Sequence, residues 1–326
     1  MGSITTRSYP DGQERVIAAG LDEVSDLLAM RDCQVVWVDL DDPSKDELVR
    51  LAEELGLHHL AVEDALEPHQ RDKYVHYEHH VFLVAHGVSL DVEGAELHAL
   101  ELDVFIGDGW LVTVHRGAGE LVARIAERWD RARRVAGSHV GVAVYALLDV
   151  VVDDYFETTD RFEAFYDLAA DRVFGDHPIE PRQHRHWFEM RRALNQFHRI
   201  VRPLTEALSV VVDRDIERFG DASAPYLRDA AGELTRAASE VDSLRELVDH
   251  LVDANLVLRD YHQNVVMKKV TSWAAIIAVP TLVTGYYGMN VPYPGSGETW
   301  GVVASSTIAA VCSGALYVTF RRKRWL

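Results

Sequence analysis

Residues 270–290 read VTSWAAIIAVPTLVTGYYGMN, a run without a charged side chain that decides the fold of the chain. The uncharged stretch continues to residue 297, and after Glu298 residues 299–320 are uncharged as well. A helix needs about 20 mostly apolar residues to cross the hydrocarbon layer of a membrane. The sequence therefore predicts two membrane-spanning helices, at about 270–290 and 301–320, joined by a very short loop.

Basic clusters bracket the two predicted spans. Lys268 and Lys269 precede the first span, residues 321–324 (RRKR) follow the second, and the loop carries only Glu298. By the positive-inside rule, both termini lie in the cytoplasm. Because the second span contains several hydroxyl groups, a helical hairpin buried within the protein is the alternative. The basic clusters that flank the two spans disfavour it. We expect a multi-pass protein of the cytoplasmic membrane, in contact with the lipid bilayer.

The charge of the chain is distributed unevenly. Its 326 residues include 33 Lys and Arg against 52 Asp and Glu, a net charge of −19. The segment 264–326 is nevertheless basic, so the acidity belongs to the part that precedes it. An acidic surface excludes nucleic acid as the expected partner, because binding to phosphates requires a basic one. The two cysteines are too few for a disulfide framework.

Residue patterns ahead of the spans indicate an α+β cytoplasmic domain followed by long helices. Apolar residues alternate in four predicted strands, two of which Gly107-Asp108-Gly109 joins as a hairpin. Ser44, with Glu47 at capping-box spacing, begins a helix that runs to about Leu55. Helices are then predicted at about 139–174, about 182–218 and from about 223 into the first span. The predicted domains are the α/β domain 1–135, a helical hairpin 136–222, a stalk with the first span 223–290, a loop 291–300, and the second span with a basic tail 301–326.

A heptad seam runs along the predicted stalk helix. Its members step by four and three residues: Ala237, Val241, Leu244, Val248, Leu251, Asn255, Leu258, His262 and Val265. Such a seam packs a helix against other helices or against copies of itself. For the polar members, Asn255 and His262, setting the register or contacting water is favoured over a metal site.

The first span ends in Tyr-Gly-Met-Asn, residues 287–290, and here the chain resembles the CorA family of magnesium and cobalt transport proteins. Further similar segments are LHHLAVEDAL (57–66), YALLD (145–149), PYLRD (225–229) and NVVMKK (264–269). The resemblance implies a homopentameric, funnel-shaped channel for divalent cations. The first span would line its pore, and the second would lie outside.

The resemblance also implies a selectivity filter of Gly288, Met289 and Asn290. A ring of Asn290 amides would accept hydrogen bonds from the waters that Mg²⁺ retains. We expect Gly288 to let the backbone turn and Met289 to hold Asn290 in place. Continuing the heptad step into the membrane predicts a stripe of mostly small or hydroxyl-bearing residues on one face of the helix. Such a stripe fits close helix packing or a pore wall, and the Gly-Met-Asn signature favours the pore wall. The stripe comprises Asn264, Met267, Thr271, Ala274, Ala278, Thr281 and Gly285.

In the family, Mg²⁺ bound at cytoplasmic carboxylates closes the channel, so Mg²⁺ is expected both as cargo and as regulator, without an organic cofactor. Asp229, in the PYLRD segment, is the expected regulatory ligand, and Glu101 and Asp103 are candidates for its partner. Small residues in the stripe leave Met267 as the main candidate constriction. Glu298 alone would supply negative charge in the outer loop.

Other interpretations of the sequence compete with a magnesium channel. An enzyme is not expected, because the chain lacks G-x-x-x-x-G-K, G-x-S-x-G and H-E-x-x-H. A helix face with His59, Glu63 and Glu67, beside His58 and His69, is favoured as a solvated or structural face over a metal site. Within transport, the alternative cargo is a transition metal such as Zn²⁺, Co²⁺ or Ni²⁺, because imidazoles favour these ions. The histidines in question are His177, His184, His186, His198, His250 and His262. A non-conducting, membrane-tethered oligomeric scaffold is the alternative outside transport.

Overall fold

The structure is a computed structural model that describes residues 3–10, 15–17, 24–29, 33–68, 70–175, 180–290, 292 and 294–326. Two of the histidines named above, His69 and His177, thus lie outside the described residues, as do Val291 and Tyr293 of the predicted loop. The chain divides into two compact units, Met1–Asp249 and His250–Leu326.

The first unit contains a seven-stranded sheet in the order β2-β1-β3-β7-β6-β5-β4. Only the β3–β7 pair is parallel among the strand pairs of the described residues. The four predicted strands are confirmed, and the Asp108-Gly109 turn joins β6 to β7. The strands are β1 (Ser3–Pro10), β2 (Arg15–Ile17), β3 (Cys33–Asp41), β4 (Lys73–His76), β5 (Val81–Asp91), β6 (Glu96–Gly107) and β7 (Trp110–His115).

Three helices cover one face of the sheet: α1 (Val24–Ala29), α2 (Lys45–Leu55) and α3 (His59–Leu66). The predicted start of α2 is confirmed, since the Glu47 amide donates to Ser44 Oγ and the Ser44 amide donates to the Glu47 carboxylate. Buried leucines of α2 and alanines of α3 pack with Val36, Val38 and Phe105 of the sheet. This apolar cluster fixes the sheet under the helices.

Helices α4 (Gly119–Ala136) and α5 (Val140–Phe174) cover the other face. Trp129 of α4 contacts Trp37 of β3, and Tyr155 of α5 donates a hydrogen bond to the backbone carbonyl of His86 in β5. The next helix, α6 (Pro181–Val210), packs on α5 through Phe197. It ends before the predicted 218, because a π-helical turn at Val211–Asp215 and a 3₁₀ turn at Ile216–Phe219 replace its last turns.

The longest helix, α7 (Ala224–Tyr287), has 64 residues and confirms the unbroken stalk. A short segment separates it from α8 (Thr299–Arg322). Both helices are long and apolar enough to span a membrane, and only 6% of each apolar window is buried. The core helix of a water-soluble protein buries its apolar side chains, so these exposed ones require lipid or other protein chains around them.

Candidate ion pathway and regulatory residues

The Gly-Met-Asn motif lies where α7 ends. The Gly288 amide donates to the carbonyl of Thr284 at 2.8 Å, and the Met289 amide donates to that of Tyr286 at 3.3 Å. These bonds extend the helical turn by two residues beyond Tyr287. Asn290 is the first residue past the turn, and its side chain is exposed. A helix end thus presents a neutral amide whose oxygen can accept hydrogen bonds.

Gly288 occupies this helix end without a left-handed conformation. Its φ is not among the positive glycine values, so the backbone does not turn through a left-handed conformation there. A Cβ atom at this position would lie 3.0 Å from the Thr284 carbonyl oxygen, closer than about nine in ten real Cβ contacts. The glycine is therefore suited to the close approach of this carbonyl.

The predicted pore-lining stripe is exposed along its whole length in the single chain, from Asn264 to Gly285. Ser272, beside the stripe, is instead fully buried, and its hydroxyl donates to the Lys268 carbonyl at 2.7 Å. The Thr281 hydroxyl donates to the Ile277 carbonyl at 3.0 Å. Met267 is 57% exposed and has the bulkiest side chain of the stripe. The stripe is thus free to face a pore or a neighbouring copy.

The segment between the two apolar helices is held closely against the start of α8. Gly295 and Gly297 both have positive φ, 89° and 82°, which favours glycine. The Glu298 amide donates to the Gly295 carbonyl at 3.2 Å, and Glu298 is the N-cap residue of α8. A Cβ atom on Gly301 would lie 2.3 Å from the Gly295 carbonyl oxygen. Only a glycine at 301 fits this arrangement without displacing backbone.

Asp229 is exposed on the first part of α7, among other acidic groups. Burial raises the pKa of the nearby Tyr145 hydroxyl, Arg128 lowers it, and the negative charges of Asp229, Glu233 and Asp153 raise it further. Several carboxylates thus surround Tyr145. Carboxylate oxygens are ligands that Mg²⁺ accepts.

Glu101 and Asp103 lie in β6 and face a buried cluster that includes Asp72 and His86. His86 pairs with Glu101 in the strand register, forms a hydrogen bond with Asp72, and has Nε2 3.8 Å from a Glu101 oxygen. Asp103 is only 2% exposed. Its carboxylate cannot reach a second chain while β6 is folded, which disfavours it as a partner of Asp229. Glu101 already accepts a hydrogen bond from the Gln70 amide at 3.3 Å.

This buried cluster has unusual acid–base properties. Burial lowers the pKa of His86, but hydrogen bonds to Asp72 and Glu101 outweigh it and raise the value to about 9. Burial, and then the charge of Glu101, raise the pKa of Asp103 to about 7. The cluster could not be predicted from the sequence, because its members are up to 31 positions apart and the folding of the sheet brings them together. The signal available was two acids in one predicted strand and a histidine two residues after another.

The histidine face of α3 is structural. The His58 imidazole caps the helix by accepting from the Leu60 amide at 3.3 Å, and its ring stacks on those of His59 and Tyr77. Glu67 is the C-cap residue rather than a member of the helix. Across the described ranges of the chain, no three His, Cys, Asp or Glu side chains form a group that could hold a metal ion. The structure thus gives His58 a local role as the N-cap of α3.

Comparison with known proteins identifies the family. The sequence model described as "CorA-like Mg2+ transporter protein" matches residues 32–322. The chain belongs to the CorA family. One CorA relative, the cobalt/magnesium transport protein CorA of Thermotoga maritima, is 28% identical over 309 residues, which cover 93% of this chain and 87% of the relative.

Two solved structures share the fold. The complete structure of the CorA magnesium transporter from Methanocaldococcus jannaschii matches with a TM-score of 0.81 and 18% identity, covering 99% of this chain and 98% of that one. The cytoplasmic domain of ZntB from Vibrio parahaemolyticus matches with a TM-score of 0.63 and 12% identity, covering 80% and 100%. The predicted fold, an α+β domain followed by long helices and two apolar C-terminal helices, is confirmed as that of CorA.

Proposed function

We propose that the chain forms a Mg²⁺ channel of the cytoplasmic membrane, with Gly288, Met289 and Asn290 as its selectivity filter. The observation that carries this proposal is the exposed Asn290 amide at the end of an apolar helix of spanning length. The family's printed description and the cobalt/magnesium transport relative support the choice of ion.

The exposed stripe supports assembly from several copies, five in the proposed channel. A single α7 helix cannot enclose an aqueous path, whereas a ring of α7 helices encloses one lined by the residues from Asn264 to Gly285. These side chains are small or hydroxyl-bearing, apart from Asn264 and Met267, and therefore leave room for a hydrated ion. Met267 is the widest of the apolar ones and forms the proposed constriction. The basic clusters at Lys268 and residues 321–324 support an orientation of the proposed channel with both termini in the cytoplasm.

Reconstitution in liposomes tests this function. Purified protein is inserted into vesicles that contain an ion-sensitive dye, and entry of Mg²⁺, Co²⁺, Ni²⁺ and Zn²⁺ is compared. We expect rapid Mg²⁺ entry. Zn²⁺ entry with little Mg²⁺ entry would assign the chain to zinc transport, and no entry of any ion would support the non-conducting scaffold.

The loop geometry gives a further expectation about transport. Gly301→Ala places a methyl group against the Gly295 carbonyl oxygen, so the segment after Asn290 must shift away from α8. We expect Mg²⁺ flux to fall several-fold while the protein still assembles. Gly314→Ala in the same helix is the matched control, because a Cβ atom at Gly314 meets nothing within 4 Å in the chain. Equal flux in the two variants would show that the loop position does not matter.

We further propose that Asp229 binds regulatory Mg²⁺ between neighbouring copies. Its exposure and its acidic surroundings fit a hard cation. Asp229→Asn removes one negative charge per copy, so we expect flux to lose most of its inhibition by Mg²⁺ on the cytoplasmic side. Flux is measured as that Mg²⁺ concentration is raised, with Asp221→Asn, an exposed acid just before α7, as the control. Unchanged inhibition in Asp229→Asn would refute this role.

A further inference from the structure

Helix α6 has a charge opposite to that of the chain as a whole. It carries six arginines and two glutamates, in a protein with a net charge of −19. Four of its residues lie at steps of four, three and four and therefore share one helix face: Phe188, Arg192, Asn195 and Arg199. A basic helix face in an acidic protein indicates an anionic partner.

This face lines an open groove of about 600 Å³, which we call the arginine groove. Arg191, Arg192 and Arg199 of α6 line it together with Arg245 of α7. The volume is in the range of sites that bind small organic ligands. The groove lies entirely within the first unit of the chain.

The positive charge in the groove is only partly neutralised. Arg191 pairs with Asp249 at 2.7 Å, and Asp242 is shared by His198 at 3.0 Å and, more distantly, by Arg202 and Arg245. Arg192 and Arg199 are exposed and have no carboxylate partner among the residues that the structure describes. Four arginines thus line the groove, and only two of them pair with an aspartate among the described residues. This excess can attract an anion that carries several charges.

Hydrogen bonds that involve Asn195 hold the positive charge of Arg245 in a defined position. The Arg245 Nε donates to the Asn195 side-chain oxygen at 3.1 Å, and the Asn195 amide nitrogen donates to the Arg191 carbonyl at 3.0 Å. These bonds orient the Arg245 guanidinium toward the α6 face. Burial, and then the positive charge of Arg245, lower the pKa of His198. The neighbourhood is therefore positive without a contribution from that imidazole.

An aromatic ring stands at one end of the arginine row. Phe188 is 69% exposed, so its ring is accessible for stacking against a ligand. From Phe188 to Arg199 the helix rises roughly 16 Å, at about 1.5 Å per residue. Guanidinium groups bind phosphates in a bidentate manner, and exposed aromatic rings stack on nucleobases. We propose that the arginine groove binds a nucleoside triphosphate, with its phosphates on the arginines and its base on Phe188.

This proposal concerns binding and stands independently of whether the chain conducts ions. A nucleotide bound in the groove can also act as a regulator of a protein of a Mg²⁺-transporter family. Mg²⁺ binds the same phosphate oxygens that the arginines would contact. The groove should therefore prefer the metal-free nucleotide, whose abundance rises as Mg²⁺ becomes scarce.

Calorimetry on the full-length protein in detergent tests the proposal, with ATP in EDTA as the probe. Arg192→Gln/Arg199→Gln should weaken ATP binding by about a hundredfold, because each of the two charged hydrogen bonds is worth about tenfold. Arg182→Gln/Arg185→Gln, which removes two exposed arginines outside the groove from the same helix, is the charge-matched control and should change the affinity less than about twofold. Absence of ATP binding to the native protein, or equal weakening in both variants, would overturn the site.

Two further titrations examine the two parts of the ligand. Phe188→Ala should weaken the binding of ATP and leave that of inorganic tripolyphosphate unchanged. Equal affinities of native protein and Phe188→Ala for ATP would overturn recognition of the base. Excess Mg²⁺ should weaken ATP binding to the native protein, and an unchanged affinity would overturn phosphate recognition by the arginines. Elution of each variant at the native position in size-exclusion chromatography checks that it is folded.

Discussion

Asn290→Ala is expected to reduce Mg²⁺ entry into liposomes to the level of protein-free vesicles. Asn290 follows the last hydrogen-bonded turn of α7, and its exposed amide is the polar group that the motif presents at this helix end. Mg²⁺ gives up its hydration water reluctantly, so a filter must accept hydrogen bonds from the waters instead of removing them. A methyl group cannot accept such bonds, and every copy in a ring loses its acceptor at once.

Two further variants make this experiment decisive. Ser296 is an exposed polar residue of the segment that follows Asn290, and Ser296→Ala should retain native flux. Asn290→Asp replaces neutral amides with carboxylates, which hold a divalent cation more tightly and should slow its release. Native Mg²⁺ flux in Asn290→Ala would place the filter elsewhere. Loss of flux in Ser296→Ala as well would attribute the effect to the loop.

The features that could be predicted from the sequence depend on contacts between near neighbours. The capping box of Ser44 and Glu47 spans three residues, and the hairpin at Asp108-Gly109 spans two. The absence of helix-stopping residues between Pro225 and the apolar run similarly predicted the continuous α7 helix. Local propensity and periodicity are sufficient for such elements.

The features that could not be predicted depend on distant segments. The β1 strand pairs with β2 and β3, although its sequence, SITTRSYP, has few of the apolar residues that mark a strand. The contact between Gly295 and Gly301 depends on how the loop closes onto α8. The arginine groove requires Arg245 of α7 to lie beside α6, across about 50 residues of chain. Periodicity within one segment carries no information about such distances.

Asp103→Asn is expected to stabilise the protein above neutral pH. The pKa of Asp103 is raised to about 7 in the folded chain by burial and by Glu101, and one of its carboxylate oxygens has no hydrogen-bond partner. Since the folded state holds the proton more tightly than the unfolded state, stability falls as the pH rises from about 4 through about 7. The difference in pKa corresponds to about 4 kcal/mol, which asparagine would recover because it cannot ionise.

The pKa of His86 is higher than that of Asp103, so the two groups affect stability over different pH ranges. Its pKa is raised to about 9 in the folded chain, so its contribution to stability is complete below about pH 6.5 and is lost as the pH rises through about 9. The difference in unfolding midpoint between Asp103→Asn and the native full-length protein in detergent, measured from pH 5 to 9, should therefore grow as the pH rises to about 7 and stay constant above it. The loss of the His86 contribution should occur in both proteins, and the lowered pKa of His80 acts in the opposite direction in both below about pH 6.5. Asp108→Asn, in an exposed turn where asparagine is equally favourable, should follow the native curve. Identical curves for Asp103→Asn and the native chain would show that the buried carboxyl group does not ionise over this range.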